Sequence, residues 1–419
     1  MNPRTIMLVA GEPSGDAHAA ALVQALAAAL PAARFIGAGG PKMAGAGVAL
    51  SFDLTADAVI GLSAVIRKLP LFCRRLRQLV RLAAAEKPDL VILVDFEFFN
   101  RRLARALRAA ARRSAAPPWR PRIVKYVSPQ VWASRPGRAE KMVRDFDLLL
   151  CLFPFEKEWY ARRLPQLRVE CVGHPMFDTG PPPGGEPENA DPIPTILLLP
   201  GSRRGELRRH LPVMLAAADM IAALQPVRFK LVAPNETLAS LSIPVILAAR
   251  TLTPARQPVR FKPVVPNDDV ANRAHIAVIA GAAQVEIQTG QLEEALARAT
   301  LAIASTGTVT LECARFGVPV VALYKTSLLT YLIARRIVTV KFLAMPNLLA
   351  GEALCPEFIQ GRATAQNIAQ AALELLENPA RRAEIRARLR QVVSALGGPG
   401  AAARAAAAIL KLTDAANSP

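Results

Sequence analysis

Short apolar runs alternate with longer Ala-, Leu- and Arg-rich stretches along most of this chain. Such runs, bounded by helices, read as parallel strands covered on both faces. In the first half the candidate strands are Ile6–Ala10, Val91–Val94, Ile123–Val127, Leu148–Leu152 and Val169–Val172. Helical stretches fall at about 16–30, 74–86, 100–113, 138–145 and 155–163. Residues 179–194, rich in Pro, Gly and acidic side chains, then break the pattern and mark a linker. It resumes with strands at Thr195–Leu199, Arg228–Val232, His275–Ala280, Leu301–Ala304 and Val318–Leu323, and helices at about 205–223, 291–299, 308–316, 327–336 and 364–393. The expected fold class is α/β, with two Rossmann-like domains over 1–178 and 195–396 and a cleft between the carboxyl ends of their sheets. A last helix within 397–419 is expected to pack on the first domain or on a partner. The length of 419 residues agrees, because one core seldom grows past about 250–300 residues.

One segment is duplicated. Gln225–Glu236 recurs as Gln257–Asp268, with nine of twelve positions identical at an offset of 32. Two copies do not make a solenoid. The first copy is expected to form the strand. Pro263 weakens the second as a central strand, since it removes a ladder donor. Residues 237–268 are therefore expected to be a surface insertion.

A formal charge of +19 and a pI near 10.6 favour anionic partners such as nucleotide phosphates, acidic lipids or nucleic acid. A general Arg and Ala bias is the plainer explanation. Aromatic residues are only 5% and are not interleaved with basic runs, so a stacking platform for single strands is unsupported. The five cysteines are scattered, with no CxxC pair; reduced thiols in a cytosolic protein are expected, not disulfides or zinc. The four histidines lack ligand spacing, so no metal and no cofactor are expected. No signal peptide is evident, and no apolar run of about 18 residues could span a bilayer.

Several strand-to-helix turns carry chemistry. Gly11-Glu12-Pro13-Ser14-Gly15-Asp16 combines two glycines with two carboxylates; Gly11 and Gly15 allow close backbone approach, Glu12 and Asp16 could orient an acceptor or act as bases, and Ser14 and Asp16 would equally serve as helix caps. Asp95 ends the run Val91–Val94 among phenylalanines, which would desolvate it and suit a general base, with Glu97 as its competitor. Gly201-Ser202-Arg203-Arg204 opens a helix, where N–H groups and arginines suit a diphosphate. Ser305-Thr306-Gly307-Thr308 does the same, with Glu312 one turn on, within reach of a sugar hydroxyl pair. Asp145-Phe146-Asp147 spells a DxD but stands at the entrance of a strand, the wrong end for a ligand. His174 follows the last strand of the first half, as a ligand contact or a turn residue. Leu62–Leu82 alternates apolar and basic residues around Pro70, as interfacial helices and ordinary packed helices both do.

Taken in order, GEPSGD (11–16), YVSPQVWA (126–133), FPFEKEWY (153–160), VGHP (172–175), LPGSR (199–203), STGTVTLE (305–312), MPNLLAG (345–351) and PEFIQ (356–360) resemble the lipid-A-disaccharide synthases over most of the chain. The resemblance implies a metal-independent, inverting glycosyltransferase of the GT-B architecture. It would join UDP-2,3-diacylglucosamine to 2,3-diacylglucosamine 1-phosphate, giving the lipid A disaccharide 1-phosphate and UDP. It implies a cytoplasmic protein, peripheral on the inner membrane, with no nucleic acid partner and with room for a homodimer. The 62–82 segment is expected to face that membrane through Val65, Ile66 and Leu69. Asp95 matches the family's essential aspartate and Arg203 the arginine that steadies the leaving diphosphate. Gly201, Ser202, Ser305, Thr306, Gly307, Thr308, Glu312, Asn347 and Gln360 fall in the donor motifs. Glu12, Ser14, Gly15, Asp16 and His174 fall on the acceptor side. Three departures stand out: Glu97 where the family has proline, Ser134-Arg135 after the VWA, and the 237–268 insertion. The first leaves Asp95 and Glu97 both as candidate bases. The alternatives are another GT-B transferase or epimerase using UDP-N-acetylglucosamine, or a non-catalytic basic protein that binds nucleic acid.

Overall fold

The computed structural model describes residues 5–56, 69–114, 118–178, 193–251, 260–264, 275–279 and 283–414. The chain divides into two compact units, Met1–Thr179 together with Leu396–Pro419, and Gly180–Ala395.

In the first unit the elements run β1 (Thr5–Ala10), α1 (Pro13–Ala29), β2 (Arg34–Gly39), α2 (Pro41–Gly45), β3 (Ala49–Asp53), α3 (Leu69–Glu86), β4 (Leu90–Val94), α4 (Glu97–Arg112), β5 (Arg122–Tyr126), β6 (Leu148–Cys151), α5 (Pro154–Arg163) and β7 (Arg168–Cys171). The strands form one parallel sheet in the order β3-β2-β1-β4-β5-β6-β7. Every residue of β4 is buried, as the unbroken apolar run Leu90–Val94 requires of a strand covered on both faces. Met7, Val9, Val91 and Leu93 project into one core with Phe99, Leu103 and Leu107 of α4.

Strands β2 and β3 were not among the expected elements. Arg34–Gly39 is half glycine and alanine and carries little strand propensity. It pairs along β1 because Gly37, at φ +149, has no side chain: a Cβ there would stand 1.8 Å from the Leu8 carbonyl oxygen. The helix expected at 138–145 is instead a 3-10 segment, Pro136–Met142.

The second unit runs β8 (Thr195–Leu199), α6 (Arg204–Ala222), β9 (Arg228–Ala233), α7 (Glu236–Thr251), β10 (Arg260–Val264), β11 (His275–Ile279), β12 (Gln284–Thr289), α8 (Leu292–Ala297), β13 (Leu301–Ser305), α9 (Thr308–Arg315), β14 (Val320–Tyr324), α10 (Leu328–Ile337), α11 (Met345–Ala350), β15 (Glu357–Ile359), α12 (Ala365–Glu377) and α13 (Pro379–Ser394). The sheet order is β10-β11-β12-β9-β8-β13-β14-β15. It is parallel except at one end, where β10 and β11, and β11 and β12, pair antiparallel. Both repeat copies form strands, β9 and β10. The copy with Pro263 lies at the sheet edge, where a missing donor is tolerated. The insertion thus contributes a helix and an edge strand. The single helix expected over 364–393 is two, because Pro379 begins a new one. The Asn378 side chain accepts from the Arg381 N–H at 2.9 Å and caps it.

The chain closes with α14 (Ala401–Asp414), which packs on α1 in the first unit. Asp178 accepts from the N–H groups of Gly400, Ala401 and Ala402 at its start. Arg404 donates to the Val172 carbonyl at 2.8 Å. No helix among the described residues is long and apolar enough to cross a membrane.

Candidate active site

In the first unit the carboxyl end of β4 meets the turn after β1. Asp95 and Phe96 both have left-handed backbones, φ +46 and +45, a conformation that costs energy in residues other than glycine. Three contacts hold it. The Asp95 N–H donates to the Tyr126 carbonyl at 2.9 Å. Asn100 Nδ2 donates to the Asp95 carbonyl at 2.9 Å, and Lys125 Nζ donates to the same oxygen. The turn lies close by: a Cβ on Gly15 would stand 3.6 Å from that of Asp95, and one on Gly11 would collide with the Phe96 ring at 2.2 Å.

Glu97 begins α4, and its carboxylate stands 3.9 Å from Lys125 Nζ. Burial pushes the Glu97 carboxyl up, against the pull of Lys125 and Arg101. Burial also draws the Lys125 ammonium down, against Glu97, Asp95 and Glu12. The His18 ring, on α1, lies 6.4 Å from those of Tyr126 and His174. Burial lowers it, with Asp95 and Asp178 opposing. His174 is buried and lowered to about 3, so its neutral ring accepts the Met176 N–H at 3.2 Å.

Asp16 has a structural task. Its carboxylate accepts from the N–H groups of Gly40 (2.8 Å), Lys42 (3.0 Å) and Met43 (3.0 Å), holding the start of α2. Asp145 pairs with Arg101 and Arg105, and Asp147 with Arg108. Glu156 locks two of the sequence motifs together: it accepts from Ser128 Oγ (2.5 Å), Trp132 Nε1 (2.8 Å) and the N–H of Phe153 (3.0 Å).

In the second unit a pocket of about 550 Å³ lies at the carboxyl ends of β8, β9, β12 and β13. Its lining brings together Gly201, Ser202, Arg203, Ser305, Thr306, Gly307, Thr308 and Glu312. Gly201, at φ +113, has no room for a Cβ, which would sit 2.4 Å from a Glu206 carboxylate oxygen. Glu206 steadies the turn by accepting from the Ser202 N–H at 3.2 Å and pairing with Arg203 at 3.3 Å. The Arg203 side chain stays half exposed. Gly307, at φ +122, precedes α9, whose first N–H groups form an electropositive end. Burial pushes the Glu312 carboxyl up to about 7, with repulsion from Glu293 added and Arg315 opposing.

Two residues expected in the donor site line a different environment. Asn347 is fully buried. Its amide accepts the Cys355 N–H at 2.8 Å and donates to the Cys355 carbonyl at 2.9 Å, closing the α11–β15 connection. Gln360 clamps Thr326 with bonds of 3.0 and 3.1 Å. Neither lines the 550 Å³ pocket. Of the expected membrane-facing residues, Val65 and Ile66 lie outside the described residues, and Leu69 is exposed at the start of α3. Sequence reasoning missed His18, Lys125, Pro234, Gly290 and Gln291. The last three line the pocket and follow strands β9 and β12, so strand-end position was the available signal.

The family model for lipid-A-disaccharide synthetase matches residues 6–238 and 259–412. Lipid-A-disaccharide synthases from Syntrophus aciditrophicus and Myxococcus xanthus are 36% and 34% identical to this chain, each over 98% of both proteins. That from Solibacter usitatus is 35% identical over 98% of this chain and 97% of its own. Among solved structures, the calicheamicin glycosyltransferase aligns with a TM-score of 0.54 at 18% identity, over 98% of each chain. The spinosyn forosaminyltransferase aligns at 0.55 and 16% identity, over 98% of this chain and 99% of its own. These share the fold, the GT-B architecture of two Rossmann-like domains. The chain belongs to the lipid-A-disaccharide synthetase family, glycosyltransferases of lipid A biosynthesis.

Proposed function

We propose that this protein transfers the sugar of UDP-2,3-diacylglucosamine to the 6-hydroxyl of 2,3-diacylglucosamine 1-phosphate. The products are a β-1,6-linked disaccharide 1-phosphate and UDP. The observation that carries the reading is the second unit's pocket, where two glycine-bearing turns open helices α6 and α9 beside Arg203 and Glu312. Helix N-termini and a half-exposed guanidinium suit a diphosphate. The Glu312 carboxylate suits a pair of ribose hydroxyls.

In the proposed reaction Asp95 accepts the proton of the acceptor hydroxyl. The oxygen attacks the anomeric carbon from the face opposite the diphosphate, the bond to the diphosphate oxygen breaks, and configuration inverts. Arg203 and the α6 N–H groups take up the charge that develops on the leaving UDP. Asp95 is favoured over Glu97 because Glu97 is engaged by Lys125. Asp95 ends a strand in a strained backbone, as functional groups often do.

A peripheral site of action on anionic lipid is part of the same proposal. It rests on the acylated substrates of the family and on α10. There Leu328, Leu329, Leu332 and Ile333 are 67, 70, 51 and 49% exposed, with Arg335 and Arg336 on the same helix.

The test is a mass-spectrometric assay of the purified protein with the two acylated sugars. Disaccharide phosphate and UDP in equal amounts support the reading. Turnover of UDP-N-acetylglucosamine instead would replace it with the unacylated alternative.

A further inference from the structure

Helices α6 and α7 pack side by side in the second unit, and a groove of about 450 Å³ opens between them. Its floor and walls are apolar. Leu207 and Pro212 come from α6, and Leu241, Pro244, Val245 and Ala248 from α7. Arg204 and Arg208 stand on its rim. Both arginines are exposed, and neither meets a carboxylate among the described residues. Each wall contains a proline inside its helix. The carbonyls of Arg208 and Ser240 therefore lose their usual donor four residues on, and the rigid rings add apolar surface that loses no rotamer freedom when covered.

Two facts place this groove. Arg204 directly follows Arg203 in the chain, so the rim begins one residue after the turn proposed to hold the donor diphosphate. Residues 239–258 lie between the two stretches that the family model matches, so most of the α7 wall comes from residues outside that match, between the two repeat copies.

We infer that the α6–α7 groove binds an acyl chain of the donor substrate while Arg204 and Arg208 face its anionic diphosphate end. The inference rests on the reading that the second unit holds an acylated UDP-sugar. The match is of both kinds at once: an apolar trough takes methylenes, and a cationic rim that begins one residue after Arg203 takes the charge. A groove lined this way suits one amphiphile that is apolar along its length and anionic at one end. Seating a methylene in it is expected to tighten binding by roughly fourfold, the equivalent of transferring one CH₂ out of water.

The experiment measures donor binding, not turnover. The probes are UDP and UDP-2,3-diacylglucosamines with chains of four, six and eight carbons. The proteins are the wild type, Val245→Trp, which fills the groove, and Leu241→Gln, which makes it polar. In the wild type, Kd should fall stepwise with chain length. In both variants the dependence should flatten, while UDP affinity and melting temperature stay near wild type; a variant that loses UDP binding is set aside in favour of the other. Equal affinity of the wild type for all chain lengths overturns the inference. So does an undiminished length dependence in the folded variants. A wild type that binds the acylated donors tightly but never transfers the sugar counts against the proposed reaction and leaves the groove standing.

Discussion

Lys125 Nζ stands 3.9 Å from the Glu97 carboxylate, and the lysine side chain is only 1% exposed. The same ammonium donates to the Asp95 carbonyl. One buried cation therefore joins the strained turn of the candidate base to the carboxylate that competes with it. Glu97 Oε2 has no hydrogen-bond partner and is itself shut off from water, so the lysine is its chief compensation. Glu97→Gln leaves the ammonium buried without its nearest carboxylate. The expected cost is about 1–3 kcal/mol in denaturant unfolding, below the range for fully buried pairs because Glu97 is one-third exposed. The double variant Glu97→Gln/Lys125→Met should lose less than the two single losses added together, since no charge is then left alone. Strict additivity would mean that the two groups do not interact.

The same pair separates the candidate bases. Asp95→Asn keeps the shape of the turn and removes the proton acceptor, so transfer should fall by roughly 10²–10⁴-fold while UDP affinity holds. Glu97→Gln should retain turnover within about tenfold, as Glu97 takes no proton in the proposed reaction and acts on Asp95 through Lys125 and through charge repulsion. Single-turnover rates with saturating donor decide this. The reverse order of losses would assign the base to Glu97.

Arg203 lines the pocket from the α6 turn, and its guanidinium pairs with Glu206. Arg203→Ala should lower kcat by roughly 10²–10³-fold, the usual loss when one donor to a developing anion is removed. Glu206→Gln, which frees the arginine without deleting it, should cost far less. If both variants turn over normally, the leaving group is stabilised elsewhere.

Glu312 makes a pH prediction with a definite sign. Its carboxyl is raised to about 7 in the folded protein against 4.5 for the free group. The folded state thus holds a proton that the unfolded state has released, and the stability linked to Glu312 is lost as pH rises from about 4.5 through 7. Glu312→Gln removes that loss and should unfold at higher denaturant than wild type at pH 8, but not at pH 4. UDP binding should run the other way. If ribose hydroxyls donate to the carboxylate, wild-type affinity rises between pH 6 and 8, and the glutamine variant is flat over the same range. Calorimetric titration at the two pH values checks this.

Much of the fold was legible because its strands are continuous apolar runs. Val91–Val94 and Leu301–Ala304 have no other stable place than a sheet covered on both faces. The elements that escaped are those held by tertiary contact. Strand β2 exists because Gly37 lets β1 approach, and β12, Gln284–Thr289, alternates too weakly to announce itself. The pocket residues from Gly201 to Glu312 were legible as glycine and hydroxyl turns before helices. Asn347 and Gln360 share the same kind of motif, yet their amides serve the backbone of Cys355 and Thr326. A motif marks what a family keeps; it does not distinguish a ligand contact from a brace behind it. Lys125 was invisible for the opposite reason. It lies inside an apolar strand, and its role depends on a carboxylate 28 positions earlier, Glu97.

Helix α10 tests whether the donor unit meets lipid. None of its residues is buried. Leu328, Leu329, Leu332 and Ile333 fall on one side at i, i+1, i+4 and i+5, with Arg336 within that arc. No acidic residue occurs between Glu312 and Glu352, so the segment carries only cations to an anionic surface. Replacing the four apolar residues with serine removes side chains that contact little protein and should leave the melting temperature within a few degrees. Sedimentation with vesicles containing anionic phospholipid should then recover markedly less protein, and Arg335→Gln/Arg336→Gln should weaken binding mainly at low salt, where charge attraction is least screened. Vesicle binding that survives both sets of changes would locate the lipid contact elsewhere, with the exposed Leu69 at the start of α3 as the next place to test.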